Sequence, residues 1–217
     1  MDVARAANGE ICGQYWFPIY AYSRRRGSSP EDAEDLTQGF FVHLVEKDLL
    51  KQADRSKGRL RAFLFSCVKN FNAGEYRKAA AERRGGSFSP LSFDADEGEE
   101  LWAACGEVSD AESAFDRAWA RTLLRGVLGE LGEKMESKGK GELFAALRPT
   151  LEIDAAAVDL PTIARALDIS DTALRVAAHR LRQQYAELLR TRVRETLLDP
   201  ADVDAELRQL LVACAQP

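Results

Sequence analysis

Apolar residues recur along this chain at the i, i+3, i+4, i+7 spacing of a helical face. Tyr15, Trp16, Ile19 and Tyr20 mark one side of a first helix over 11–26, with Pro18 leaving its start or its straightness open. Gly27 ends that helix. Ser28-Ser29-Pro30-Glu31-Asp32 then announces a second: Ser29 is placed to cap it, Pro30 suits the first turn, and the acids complement the helix dipole. Its inward face is Ala33, Leu36, Thr37, Phe40, Phe41 and Leu44, which leaves Asp35, Gln38, His43 and Glu46 on other faces. After a short link over 51–57, Leu60, Phe63, Leu64, Cys67, Val68 and Phe71 define a third helix, closed by Gly85-Gly86-Ser87. Three such helices can close a small bundle.

The second half repeats the pattern. Phe115, Trp119, Leu123, Val127 and Leu131 predict a long helix that Lys138-Gly139-Lys140-Gly141 breaks. A short helix around Leu143, Phe144 and Leu147 stops at Pro149. Ile163, Ala164 and Leu167 then predict a short helix, Asp168-Ile169 a tight turn, and Ser170 the cap of a longer helix. The packed face of that helix is Leu174, Ala177, Ala178, Leu181, Tyr185 and Leu188. A small residue at Ala164, Ile169 in the turn, and Leu174 and Ala177 after it fit helix-turn-helix spacing, although plain helical bundles also contain such pairs. Position 168 asks for a left-handed backbone, which Asp adopts at some cost. Val203, Leu207, Leu210 and Leu211 mark one side of a final helix whose partner surface the pattern leaves open.

The fold class is therefore all-α: two small helical domains joined by an acidic linker, the second containing the helix-turn-helix. The domain organisation reads as 10–86, a linker over 87–110, a second domain over 111–194 and a helical tail over 195–217.

Charge changes this picture, because it is blocked along the chain. The net charge is −5, yet Arg55 to Arg84 carries nine Lys or Arg residues against Glu75 and Glu82. From Asp94 to Asp116 there are nine acids and no Lys or Arg. From Arg165 to Arg194 there are seven arginines against Asp168, Asp171 and Glu187. The average hides two anion-binding surfaces separated by acid. A basic helix that also carries aromatic and amide side chains suits a nucleic-acid strand, with charge for phosphates and rings for bases. An outer face that is merely solvated is the alternative, though such faces usually mix their signs. The acidic run reads first as a solvated tether, with a binding role second.

Composition excludes more than it assigns. Apolar residues make up 46% and charged residues 30%, the profile of a soluble globular protein. No apolar run reaches the roughly 18–20 residues that span a bilayer, and the N-terminus lacks a signal-peptide core, so a cytoplasmic protein without membrane insertion is expected. Cys12, Cys67, Cys105 and Cys214 form no CxxC pair, and with only His43 and His179 besides, no metal site or cofactor is expected. No nucleophile–base pair or Gly-rich phosphate loop supports an enzyme.

Taken together, the motifs resemble the extracytoplasmic-function (ECF) type of bacterial RNA polymerase sigma factor, within the sigma-70 family. PEDAEDLTQGFFVHLVEK (Pro30–Lys47) is similar to the second conserved region, whose helix docks on the polymerase clamp. GRLRAFLFSCVKNFNAGEYRKAAAERR (Gly58–Arg84) is similar to the adjoining segment that binds and opens the minus-ten element. LPTIARALDISDTALRVAAHRLRQQYAELL (Leu160–Leu189) is similar to the fourth region, which reads the minus-thirty-five element. The resemblance covers most of Tyr15 to Arg194. DAEDLTQ followed by F-L-x-x-x-V-K-N carries its specificity. It departs from the pattern where Gly74 interrupts the strand-opening helix and where Asp171 puts a negative charge at the start of the recognition helix.

The resemblance implies a non-catalytic initiation factor that binds core RNA polymerase and directs promoter recognition, promoter opening and transcription initiation. It implies polymerase contact by Asp35, Leu36, Gln38 and Phe41. Minus-ten contact falls to Lys69, Asn70, Tyr76, Arg77 and Lys78. Ser170, Thr172, Arg175 and His179 face the minus-thirty-five major groove, with Arg180 and Arg182 on phosphates. Core RNA polymerase and promoter DNA are the implied partners, with an anti-sigma factor or other regulator as a further one. The alternative is a free-standing helix-turn-helix regulator that needs no polymerase, although no dimer seam is evident. A helical adaptor or a hydrolase would be the reading from another class.

Overall fold

The computed structural model describes residues 2–52, 59–82, 95–106, 108–152, 158–197 and 202–215. These residues are all-α, in the order α1 (Asp2–Arg25), α2 (Pro30–Glu46), the single turn α3 (Leu49–Gln52), α4 (Leu60–Glu82), α5 (Ala95–Ala104) and α6 (Ala111–Glu136). Then come α7 (Gly141–Leu147), a 3-10 turn (Arg148–Leu151), α8 (Leu160–Ala166), α9 (Asp171–Glu195) and α10 (Val203–Ala215). Two compact units emerge: Met1–Thr122 with Thr196–Pro217, and Leu123–Glu195. The division falls inside α6, and α10 belongs with the first unit instead of forming a separate tail. The expected cap at Gly85-Gly86-Ser87 and most of the 51–57 link lie outside the described residues.

In the first unit α2 packs against α1, α4 and α5. The core is aromatic: Tyr15, Ile19, Tyr20, Phe40, Leu64, Phe115 and Trp119 are all fully buried. Each such burial contributes roughly 1.5–3 kcal/mol. α1 begins well before Ile11, and that gain explains why it runs through Pro18. An interior proline costs about 3 kcal/mol, but its neighbours Phe17, Ile19 and Tyr20 are buried on the same helix. Gly27, at φ 94°, closes α1 in a left-handed cap, with Gly27 N–H donating to the Arg24 carbonyl at 3.0 Å and Ser28 N–H to the Ser23 carbonyl at 3.2 Å. The start of α2 follows the sequence expectation: Ser29 Oγ accepts from Asp32 N–H at 3.1 Å and Pro30 takes the first position.

Two expectations for this unit change. First, α4 continues through Gly74 to Glu82. A glycine costs a helix only about 1 kcal/mol, and Leu64, Val68 and Asn72 anchor the inward side of α4 by full burial. Second, the described part of the acidic linker contains α5, which packs on α1 and α2. Gly98 permits that approach, since a Cβ there would lie 2.9 Å from Cη2 of Trp16. The carbonyls of Ala104 and Cys105, at the C-terminal end of α5, accept from Arg121 at 2.7 Å and Arg117 at 2.8 Å. Arginines of α6 thus satisfy the carbonyls at the C-terminal end of α5.

The second unit is built on Leu131, Met135, Phe144, Leu147, Ala164, Leu174, Ala178 and Leu181, with Ile163, Ala177, Tyr185 and Leu188 packed against them. Gly139, at φ 68°, ends α6 where predicted: Lys140 N–H donates to the Met135 carbonyl at 2.9 Å and Gly139 N–H to the Glu136 carbonyl at 2.8 Å. The same pair of bonds closes α8, with Ile169 N–H on the Ala164 carbonyl at 3.0 Å and Asp168 N–H on the Arg165 carbonyl at 3.3 Å. Asp168 sits at φ 53°, in the left-handed region that this cap demands. Ser170 Oγ then accepts from Ala173 N–H at 3.2 Å and starts α9.

Candidate nucleic-acid interface

Counted at 100° per residue, Leu64, Val68 and Asn72 put one side of α4 inward. Asn70 and Arg77 then point away from that side, Lys69 and Tyr76 lie on its flank, and all four are exposed. The side chain of Lys78, the fifth predicted minus-ten residue, lies outside the described set. Asn72, buried on the inward side, donates to Ser23 Oγ at 3.2 Å. Tyr76 is held from two sides. Its hydroxyl meets Ser28 Oγ at 2.8 Å, and the Arg26 guanidinium lies 5.2 Å from its ring centroid. Arg77 folds back to donate to the Ala73 carbonyl at 3.0 Å.

On α2, Asp35 is exposed, whereas Leu36 and Gln38 are half-buried. The Gln38 amide donates to Glu34 Oε1 at 2.9 Å. Phe41 departs from the expected contact surface: it is 5% exposed and packs edge-on against Phe40, so the side chain belongs to the core. His43 lies beside Phe71, ring to ring, at 5.3 Å.

On α9, Ser170, Thr172, Arg175, His179, Arg180 and Arg182 are all exposed, while Leu174, Ala178 and Leu181 are buried on the packed side. Asp159 caps the preceding α8, with Oδ2 accepting from the Thr162 hydroxyl at 2.6 Å and Oδ1 from its N–H at 3.4 Å.

A cluster that periodicity did not anticipate lies in the first unit. Arg61, one of the nine Lys or Arg residues counted from Arg55 to Arg84 as an anion-binding surface, is 8% exposed. Its Nε donates to Glu206 Oε1 at 3.0 Å, Nη2 donates to Gln209 at 2.9 Å, and Nη1 meets Asp116. The guanidinium lies over the Trp119 ring, 4.7 Å from its centroid. Arg59 adds a second ion pair to Glu206 at 2.7 Å, and Glu206 itself is 1% exposed. Burial works against the charge on Arg61, but Asp116 and then Glu206 outweigh it and hold its pKa above the usual range. Two cations of the basic stretch thus bind acids of α6 and α10, so they are not presented to a ligand. One signal was available: Arg61 precedes Leu64, Val68 and Asn72 at i, i+3, i+7 and i+11, on their side of the helix.

The acidic segment contributes a second ion pair. Glu99 on α5 accepts from Arg24 Nε at 2.7 Å and from the Tyr20 hydroxyl at 2.5 Å. The Arg24 hydrogen bond holds the Glu99 carboxyl below its usual range against the opposing effect of burial, and Tyr20 adds to the lowering. Burial, with Glu99 next, pushes the Tyr20 hydroxyl well up.

Residues 17–82 match the family model described as sigma-70 region 2. That segment is similar to sigma-70 region 2. It takes in the last part of α1 together with α2, α3 and α4, and hence both the Asp35–Gln38 face and the Lys69–Arg77 stretch. The match supports a sigma-70 family member, with the role in polymerase binding and promoter recognition that region 2 carries. No curated protein and no solved structure matches the chain. The acids that neutralise Arg59 and Arg61 of this segment, Asp116 and Glu206, lie beyond the matched span. No helix among the described residues is long and apolar enough to cross a membrane.

Proposed function

We propose that the chain is an ECF-type sigma factor that binds core RNA polymerase and directs promoter recognition, opening and initiation. The observation that carries this reading is the region 2 match over residues 17–82, within which Lys69, Asn70, Tyr76 and Arg77 are all exposed on α4. In this reading Asp35, Leu36 and Gln38 meet the polymerase, with Phe41 supporting them from the core. Lys69, Asn70, Tyr76, Arg77 and Lys78 hold the opened minus-ten strand, where unstacked bases need rings and amides and the backbone needs cations. The bond to Ser28 fixes the Tyr76 ring in advance, which lowers the ordering cost of capture. α8, its turn and α9 act as a helix-turn-helix, bringing Ser170, Thr172, Arg175 and His179 to the minus-thirty-five major groove with Arg180 and Arg182 on phosphates.

Asp35 is exposed and the Gln38 amide bonds to Glu34 on its own helix, so Asp35→Ala with Gln38→Ala leaves folding nearly intact. The test is co-purification with core polymerase followed by transcription in vitro from a selected promoter. The parent chain is expected to join the polymerase and initiate, and the double variant to do neither. Retention of polymerase by the double variant rejects this docking face. Absence of any polymerase association by the parent rejects the sigma-factor reading.

A further inference from the structure

We infer that Val176 is a specificity residue of α9 that reads the methyl group of a thymine in the minus-thirty-five element, an inference that rests on the reading of α9 as the major-groove helix. Leu174, Ala178 and Leu181 fix which side of α9 packs inward. At 100° per residue, Thr172, Val176, His179 and Gln183 then lie on the opposite side over the first half of α9, flanked by Arg175 and Arg180. All six are exposed. Val176 is 44% exposed, and among the described residues of α9 it is the large apolar side chain that solvent reaches to that extent.

A single exposed valine is ordinary on a protein surface. Its neighbours give this one a meaning: polar Thr172, Gln183 and His179, and cationic Arg175 and Arg180, all on the same face. Valine is a poorer helix former than alanine by a few tenths of a kcal/mol, roughly, and here that cost is not offset by packing into the core. The edges of the base pairs in the major groove are hydrogen-bond donors and acceptors with one apolar exception, the C5-methyl of thymine. A side chain without polar atoms discriminates there through that methyl alone. It also leaves the amino group of a cytosine without a partner, which rejects C at the same position. On one flank Arg180 supplies a phosphate contact that would hold the valine at a fixed depth in the groove, while Arg175 on the other faces the bases.

The test uses the full chain assembled with core polymerase. A minus-thirty-five sequence is selected from randomised duplex DNA, and each thymine in it is then replaced singly by deoxyuridine, which removes only the methyl group. For the parent, one position is expected to lose about three- to fivefold in binding, the worth of one buried methyl. In Val176→Ala the same replacement is expected to cost nothing, while the other positions behave as in the parent. Because Val176 is exposed, the variant folds as the parent does, and circular dichroism checks this. If no position responds to deoxyuridine, or the penalty persists in Val176→Ala, the inference fails. Arg175→Ala separates that failure from failure of the wider reading. If Arg175→Ala changes the selected sequence while Val176 has no effect, α9 reads DNA without Val176. If no minus-thirty-five preference emerges at all, both fall together.

Discussion

Arg61 and Glu206, separated by 145 positions in the chain, are joined inside the first unit by a 3.0 Å bond between side chains that are 8% and 1% exposed. Breaking a buried pair from one side leaves an uncompensated charge, which commonly costs about 3–5 kcal/mol. Asp116 remains to share Arg61, so Glu206→Ala is expected near the lower end, about 3 kcal/mol, by urea denaturation of the full chain. Replacing both partners with apolar residues, Arg61→Met with Glu206→Leu, is expected to recover most of the loss. A Glu206→Ala variant as stable as the parent would show that the pair contributes nothing.

Glu99 gives the first unit a defined acid response. Its carboxyl is depressed in the folded state by Arg24, relative to an ordinary value of 4.5. The unfolded chain therefore takes up the proton first. The stabilisation is fully present above that ordinary value and is lost as pH falls through the lowered folded one. Thermal midpoints of the parent and of Glu99→Gln should thus differ at pH 7 and converge as the solution is acidified below about 4.5. A gap that stays constant down to pH 3 would place the effect of Glu99 elsewhere than in its charge.

Two backbone positions offer stabilising changes for opposite reasons. Gly74 is helical, with open space where a Cβ would stand, so Gly74→Ala should add about 0.5–1 kcal/mol. Asp168 holds a left-handed backbone that glycine adopts freely, so Asp168→Gly should also add about 0.5–1 kcal/mol. Chemical denaturation measures both; a loss at either position would contradict its backbone assignment.

Helix α6 contains an internal control for packing. A Cβ on Gly132 would lie 2.9 Å from Cε1 of Phe144, a largely buried ring, whereas one on Gly129 would meet nothing within 4 Å. Gly132→Ala should cost about 1–3 kcal/mol through displacement of that ring, and Gly129→Ala should gain about 0.5–1 kcal/mol. Equal shifts in the denaturation midpoint would mean that the ring yields freely.

What the sequence made legible was local. The Ser29 cap, the left-handed closures at Gly27 and Gly139, and the i+4 ladder from Phe115 to Leu131 depend on residues a few positions apart. The outward placing of Asn70 and Arg77 follows from the same arithmetic once the apolar side is known. Arg61 was misread because periodicity treats a charge as outward unless a partner is known, and its partners lie on α6 and α10. α5 was missed for a similar reason. Nine acids suggest repulsion, and neither the notch that Gly98 leaves for Trp16 nor the reach of Arg24 to Glu99 is written in the local pattern.

The return of α10 to the first unit has a consequence for how the chain is born. Ribosomes add about 5–20 residues each second, so the 145 positions between Arg61 and Glu206 take roughly 7–30 s to synthesise. Throughout that interval the nascent first unit exists without the carboxylate that pairs with both Arg59 and Arg61, with Asp116 alone available to Arg61, while the whole of the second unit is made and can fold in between. The first unit is therefore completed by the later-made part of the chain, and its stability as a finished body arrives after the second unit, not before it.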